Sequence, residues 1–334
     1  MLTLDKPVEP VEDTSGAQLA ASPDGVQALL KAQFGLSIHW GLYSLDGRGE
    51  WVYFTERIPW ETYRHRLQRF NPIRFNAEEW ADLMLESGQK IMFITTKHHD
   101  GFCLWDTELT DFKITRTPFG RDVIAELAKA LQARGLQLHL YYSLLDWTHP
   151  AYRNDWPAYV AYYQGQLREL LTRYGPIDGV LFDGYWPRAK FESDEADWFA
   201  PRGAFDLAGT YDLIHRLQPQ AMVTNNLHVL PLRGEDYQTW ELDLPGKNTI
   251  GFNTTEVGPL PKACWWNLNQ GWAYAPRTHQ VKSAADILAT MKRVREAGGD
   301  LFILNVGPRP WGDIHPDEQA VLREIGARLR ACGC

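Results

Sequence analysis

A parallel (β/α)8 barrel of the TIM type is the fold this sequence predicts, and three observations predict it. Short apolar runs alternate with amphipathic segments of helical period along the chain, the pattern of strands joined by crossover helices rather than of a sandwich. The 334 residues suffice for one such barrel, which takes ~250 residues. Polar residues gather where the apolar runs end, and in a parallel barrel the carboxyl ends of the strands form the active face.

Eight runs read as strands: Phe34–Trp40, Lys90–Thr96, Gln137–Ser143, Gly179–Asp183, Ala221–Thr224, Tyr237–Trp240, Trp265–Leu268 and Leu301–Val306. Between them Ala77–Ser87, Arg121–Arg134, Tyr159–Tyr174, Phe205–Leu217 and Ala284–Ala297 carry helical periodicity, several closed by Gly, and Pro316–Arg330 reads as the closing helix. The Gly- and Pro-rich stretch Glu241–Lys262 is long for a plain connection and reads as an active-site loop. Residues 1–22 read as a poorly ordered arm ahead of a single barrel domain over residues 23–334.

Composition narrows the function. A net charge of -8 lacks the basic footprint that nucleic acid requires. No window reaches the ~18 apolar residues of a membrane span, and the amino terminus has no apolar signal core. Cys103, Cys264, Cys332 and Cys334 follow no metal or redox spacing and read as free thiols, so a cytoplasmic protein is expected, although a processed secreted form would look the same. The 14 Trp, 14 Tyr and 14 Phe offer flat apolar faces of the kind sugar rings pack against, with bulky core packing as the plain alternative.

The most informative stretch is Lys97-His98-His99-Asp100-Gly101-Phe102, directly after the apolar run Ile91-Met92-Phe93-Ile94. It reads as a polar cluster that touches substrate, against the alternative of core histidines capping a loop. Other strand ends carry His39, Tyr141-Tyr142, Asp183, Asn225-Asn226, Glu241 and Asn305, so a ring of hydrogen-bonding groups is expected to face a hydroxyl-rich ligand. Adjacent histidines on an extended backbone point to opposite sides, which argues against His98 and His99 sharing a metal. Asp183, ending the run Gly179-Val180-Leu181-Phe182, is the candidate nucleophile. The alternative is an Asp that caps the next helix. Pro187 and the charged residues after it argue against an immediate helix.

Four segments in order, Phe34-Gly35-Leu36-Ser37-Ile38-His39-Trp40-Gly41-Leu42-Tyr43-Ser44, Thr96-Lys97-His98-His99-Asp100-Gly101-Phe102, Tyr174-Gly175-Pro176-Ile177-Asp178 leading to Asp183, and Asn305-Val306-Gly307-Pro308, resemble glycoside hydrolase family 29, the α-L-fucosidases. The resemblance runs over about residues 30–330. It implies a barrel without cofactor or metal, and a fucosylated glycan or glycoside as substrate. The mechanism it implies is retaining hydrolysis through a covalent fucosyl-enzyme on Asp183. It also implies that His39, Glu50, Trp51, His98, His99, Tyr142 and Trp272 bind fucose.

One departure bears on the chemistry. Family members with a loop like Glu241-Leu242-Asp243-Leu244-Pro245-Gly246 go on to a Leu-Pro-x-Glu run whose Glu is the acid/base, and counting nine residues back from Trp272 puts Ala263 at that position. Either the chain is an acid/base knock-out with Ala263 in place of Glu, the reading favoured by the ungapped landmarks, or Glu256 or Glu241 serves instead. Asn226 stands where many members carry Arg. The chain stops at Cys334, where many members add a carboxyl-terminal β-sandwich, so a catalytic-domain-only enzyme is expected. Two readings of other classes stay open: a fucose-binding pseudo-enzyme and a metal-dependent barrel hydrolase.

Overall fold

The computed structural model describes residues 12–185, 198 and 201–332. Eight parallel strands, β1 Phe34–Ile38, β2 Ile91–Lys97, β3 Gln137–Ser143, β4 Gly179–Asp183, β5 Met222–Asn225, β6 Gln238–Glu241, β7 Lys262–Asn267 and β8 Leu301–Val306, form one sheet ordered β5-β4-β3-β2-β1-β8-β7-β6. The main helices are α1 Pro23–Ala32, α2 Ala77–Ser87, α3 Val123–Gln132, α4 Trp156–Arg173, α5 Leu207–Leu217, α6 Ala284–Glu296 and α7 Pro316–Ala331. Most begin where a short polar side chain accepts from their first turn, as Asn76 does for α2, Asp122 for α3 and Ser283 for α6.

The strand pleat divides the apolar residues into two sets. One packs inside the barrel and includes Ile91, Phe93, Tyr141, Leu181, Met222, Ala263, Trp265 and Ile303, with Leu29 and Ala32 of α1 joining it. The other lies between sheet and helices and contains the alternate residues, such as Ile94, Tyr142, Phe182 and Cys264. Since successive side chains alternate, two residues beyond the last inner apolar position of a strand comes an inner polar one. Leu181 is thus followed by Asp183 and Ile303 by Asn305.

Between β5 and β6 the ladder gives way to side chains. The Thr224 hydroxyl donates to the Tyr237 carbonyl at 2.7 Å, the Thr239 hydroxyl to Asn226 Oδ1 at 3.1 Å, and Asn226 Nδ2 to Glu241 Oε1 at 3.1 Å. The barrel closes there on polar groups, beside the site.

Two expectations change. β7 starts at Lys262, three residues before the expected Trp265, because Lys262 and Ala263 pair with Gln238 and Thr239 of β6. Residues 12–22 are no loose arm. Glu12 accepts from the Phe205 and Leu207 amides, Asp212 from those of Gln18 and Leu19 (2.9 Å each), and Asp236 from Ala21 (2.8 Å), with Ala17 buried. Carboxylates thus pin the backbone amides of a segment with little apolar content. The expectation about Pro187 lies outside the described residues.

Candidate active site

Asp183 ends β4, and Gly184 follows at φ +80°, where a Cβ would stand 2.7 Å from Leu145 Cβ. This tight turn fixes the carboxylate at the barrel mouth. Tyr141 donates its hydroxyl to Asp183 Oδ2 at 2.5 Å, and His99 Nε2 lies 3.7 Å from the same oxygen. Oδ1 is buried without a hydrogen-bond partner among the described residues. The two oxygens are thus held unequally. Burial pushes the Asp183 carboxyl up to about 6, against the lowering effects of Tyr141, the Gly184 amide and the Asn226 side chain.

Glu241 ends β6 across the seam from Asn226. Asn253 brackets its backbone, accepting from the Glu241 amide at 3.1 Å and donating to its carbonyl at 2.8 Å. The next residue, Leu242, is held at φ +50°, a conformation that a branched side chain adopts only when its surroundings impose it. Burial, then the charge of Asp183, raise the Glu241 carboxyl to about 8. Glu50 also faces the pair. Burial raises its carboxyl as well, and the Ala273 amide donates to it.

The histidines line the other side. His39 Nδ1 lies 2.8 Å from Asn305 Oδ1, its ring 5.2 Å from that of Trp272, and burial lowers it to about 4. His98 stacks on Tyr141 with ring centroids 5.7 Å apart and planes at 13°. His99 Nδ1 meets Ser143 Oγ at 2.6 Å. Burial leads in holding both His98 and His99 far below the ordinary imidazole range, so all three rings are neutral at pH 7. Trp51 stands edge-on to His99 and to Trp147, at 5.4 and 5.3 Å.

The two neighbouring histidines do not point apart. Strand β2 ends at Lys97 and the backbone turns, with the Gly101 amide donating to the His98 carbonyl at 3.0 Å, so the two rings sit 4.0 Å apart on one side. The geometric argument against a shared metal therefore fails. Among the described residues, His279, His315 and Asp317 alone bring three possible ligand atoms together, within 4.8 Å, and none of the three is a residue of this pocket. Asn269 Nδ2 stands 2.7 Å from His279 Nδ1 there, while Asn269 Oδ1 accepts two backbone amides. This orientation makes Nδ1 the acceptor and leaves the proton on Nε2, the wrong state for a ligand nitrogen.

Within the histidine motif, Lys97 and Asp100 serve the fold. Lys97 pairs with buried Asp146 at 3.1 Å, and Asp100 accepts from the Tyr63 hydroxyl at 2.6 Å. Three further sequence assignments are corrected. Tyr142 points outward and donates to Gln166 at 2.7 Å, leaving Tyr141 as the tyrosine of the site. The alternation through His139, Tyr141 and Ser143 is the signal that could have found it. Glu256 is exposed, and its backbone carbonyl accepts from Gln238 at the opposite end of β6 from Glu241. Ala263 is fully buried one residue into β7, opposite Leu301 at the start of β8. Four residues separate it from the strand's carboxyl end, roughly 13 Å at the usual strand rise, with Trp265 above it on the same inner face. A carboxylate at 263 would lie in the apolar interior, below the mouth that holds Asp183.

A parallel barrel with a carboxylate pair at its carboxyl-terminal mouth, flanked by aromatic rings, defines a class in which glycosidic chemistry is carried out. The alpha-L-fucosidase family model matches residues 23–333, and the chain belongs to that family. It is 31% identical to putative alpha-L-fucosidase 1 of Oryza sativa, over 80% of this chain and 52% of that protein. Identity to alpha-L-fucosidase 1 of Arabidopsis thaliana is also 31%, over 80% and 54%, so the chain spans about half the length of these relatives. Among solved structures it resembles alpha-L-fucosidase isoenzyme 1 of Paenibacillus thiaminolyticus, with TM-score 0.80 and 34% identity over 92% of this chain and 76% of that one. It also resembles the alpha-L-fucosidase AlfC of Lactobacillus casei in complex with alpha-L-fucose, with TM-score 0.75 and 25% identity over 93% and 99%.

Proposed function

We propose that this protein hydrolyses terminal α-L-fucosides with retention, using Asp183 as nucleophile and Glu241 as acid/base. The observation that carries the reading is the placement of two carboxyls, Asp183 ending β4 and Glu241 ending β6, which share the Asn226 amide at one barrel mouth. With Asp183 near 6 and Glu241 near 8, a neutral solution holds the first ionised and the second protonated, the division of labour a double displacement requires.

In the first step Asp183 Oδ1 attacks the anomeric carbon while Glu241 protonates the departing glycosidic oxygen. In the second, ionised Glu241 takes a proton from water, the water oxygen bonds to the anomeric carbon, and Asp183 leaves. Tyr141 holds the nucleophile's other oxygen through both steps. Neutral His39, His98 and His99 offer donors and acceptors to the sugar hydroxyls, and Trp51 and Trp272 offer apolar faces. A fucosylated oligosaccharide or glycoside is the substrate proposed. The buried free thiols Cys103 and Cys264 favour a reducing, cytoplasmic setting. No described helix is long and apolar enough to cross a membrane.

The test is a 2-fluoro-fucosyl fluoride, of the kind present in a trapped covalent intermediate of a Bacteroides thetaiotaomicron relative. A stoichiometric adduct mapped by peptide mass to Asp183, lost in Asp183→Asn, is the expected result. Binding of fucose without an adduct or turnover would favour the pseudo-enzyme.

A further inference from the structure

We propose that His228 is a positioning residue for Glu241, donating a hydrogen bond from Nε2 to Oε2 of the ionised carboxylate. The inference rests on the reading of Glu241 as acid/base. Its ground is the way the two oxygens of Glu241 are divided. The Thr239 hydroxyl donates to Asn226 Oδ1, which turns the Asn226 amide nitrogen toward the carboxyl pair, where it donates to Glu241 Oε1 at 3.1 Å and also supports Asp183. Oε2 is then the oxygen that carries and delivers the proton, and His228 Nε2 lies 4.0 Å from it. That is one small side-chain adjustment from a hydrogen bond, and catalytic contacts commonly tighten only when substrate arrives.

The placement of His228 is imposed by its surroundings. It follows β5 by three residues and sits at φ +58°, a left-handed conformation uncommon outside glycine, although His adopts it more readily than most side chains. Strain of this kind persists where the surrounding structure over-determines it, often at functional sites. The ring packs edge-on against Phe252, with centroids 4.7 Å apart, and its side chain is 7% exposed. Phe252 belongs to the loop between β6 and β7, so the segment that leaves Glu241 returns to fix the ring that faces it.

The groups facing Glu241 from neighbouring elements are Asp183 on β4, Glu50 in the loop after β1, Tyr141 on β3 and Asn226 after β5. Asp183 and Glu50 oppose its ionisation. A donor at Oε2 opposes them in turn and acts once the proton has passed to the leaving group. It stabilises the carboxylate that must next accept a proton from water.

The experiment compares His228→Phe, which keeps a ring against Phe252 but no donor, with His228→Gln, which keeps a donor. The basic limb of the kcat profile on a fucosylated oligosaccharide, which reports the substrate complex, is expected to rise by about one pH unit in His228→Phe, since the carboxylate loses a partner there. With an activated aryl fucoside, limited by the second step, kcat is expected to fall about tenfold, the scale of one hydrogen bond to a charged group. His228→Gln is expected to restore both. A basic limb that stays in place or moves down in a folded His228→Phe protein overturns the proposal. If that variant does not fold, His228→Asn gives the same comparison, because Asn tolerates the left-handed backbone and is too short to reach Oε2. Glu241→Gln is measured beside them. If it keeps both the basic limb and oligosaccharide turnover, the acid/base reading has failed, separately from any result at His228.

Discussion

Glu241→Gln is the substitution that most directly probes the chemistry. The amide keeps the size of the side chain and an oxygen for Asn226 Nδ2, which now sits 3.1 Å from Oε1, so geometry is retained while the transferable proton is lost. With the two carboxyls near 6 and 8, roughly nine-tenths of each stands in its working state at pH 7 in the wild type. Losing general acid catalysis costs about 10²–10⁴ in rate, or about 3–5 kcal/mol of transition-state stabilisation. That full loss is expected on a fucosylated oligosaccharide, whose leaving group needs the proton. An activated aryl fucoside is expected to keep its first step and accumulate fucosyl-enzyme, with azide restoring turnover by attacking without a base. The wild-type profile is expected to be bell-shaped, falling below about 6 as Asp183 takes up a proton and above about 8 as Glu241 loses one. These apparent values belong to the pair. Steady-state rates on both substrates, with and without azide, decide the matter. If Glu241→Gln retains more than about a third of oligosaccharide activity while Glu50→Gln is crippled, Glu50 is the acid and the argument from the seam is refuted.

Two adjacent tyrosines are expected to behave in opposite ways. Tyr141→Phe removes the 2.5 Å bond to Asp183 and should lower kcat by about 10–10², from about 1.5–3 kcal/mol for a hydrogen bond to a charged group. Tyr142→Phe removes the bond to Gln166 and should cost about 1 kcal/mol of stability with kcat unchanged. Kinetics beside urea melts check both, and equal kinetic effects would contradict the pleat assignment. Ala263→Glu is expected to impair folding rather than raise turnover. It combines overpacking of about 1–3 kcal/mol with burial of an unpaired carboxyl worth about 1–3 kcal/mol. A stable Ala263→Glu protein with faster oligosaccharide turnover would restore position 263 to the acid's role.

Much of the fold was legible because its physics is local. Apolar runs at Ile91–Ile94 and Leu301–Leu304 and caps such as Asn76 and Ser283 locate strands and helices from neighbours within a few residues. Asp183 was legible for the same reason, as a carboxylate between a buried strand and a Gly turn. The family resemblance supplied His39, His98 and His99, which the structure gathers at one mouth.

The sequence by itself determined which segments become strands, their carboxyl ends to within about two residues, and which chemical groups stand near those ends. Which of two neighbours faces the lumen was decided by tertiary structure. Tyr141 and Tyr142 have the same chemistry and adjacent positions, and only the pairing of β3 with β2 and β4 sets the phase of the pleat. Depth along a strand was decided there too. Counting along the chain brought Ala263 to the acid's place, but β7 begins early enough to bury it opposite Leu301. Glu241 comes to face Asp183 across the β5–β6 seam, with Glu50 beside the pair, because through-space electrostatics depend on which strands close the barrel and in what register.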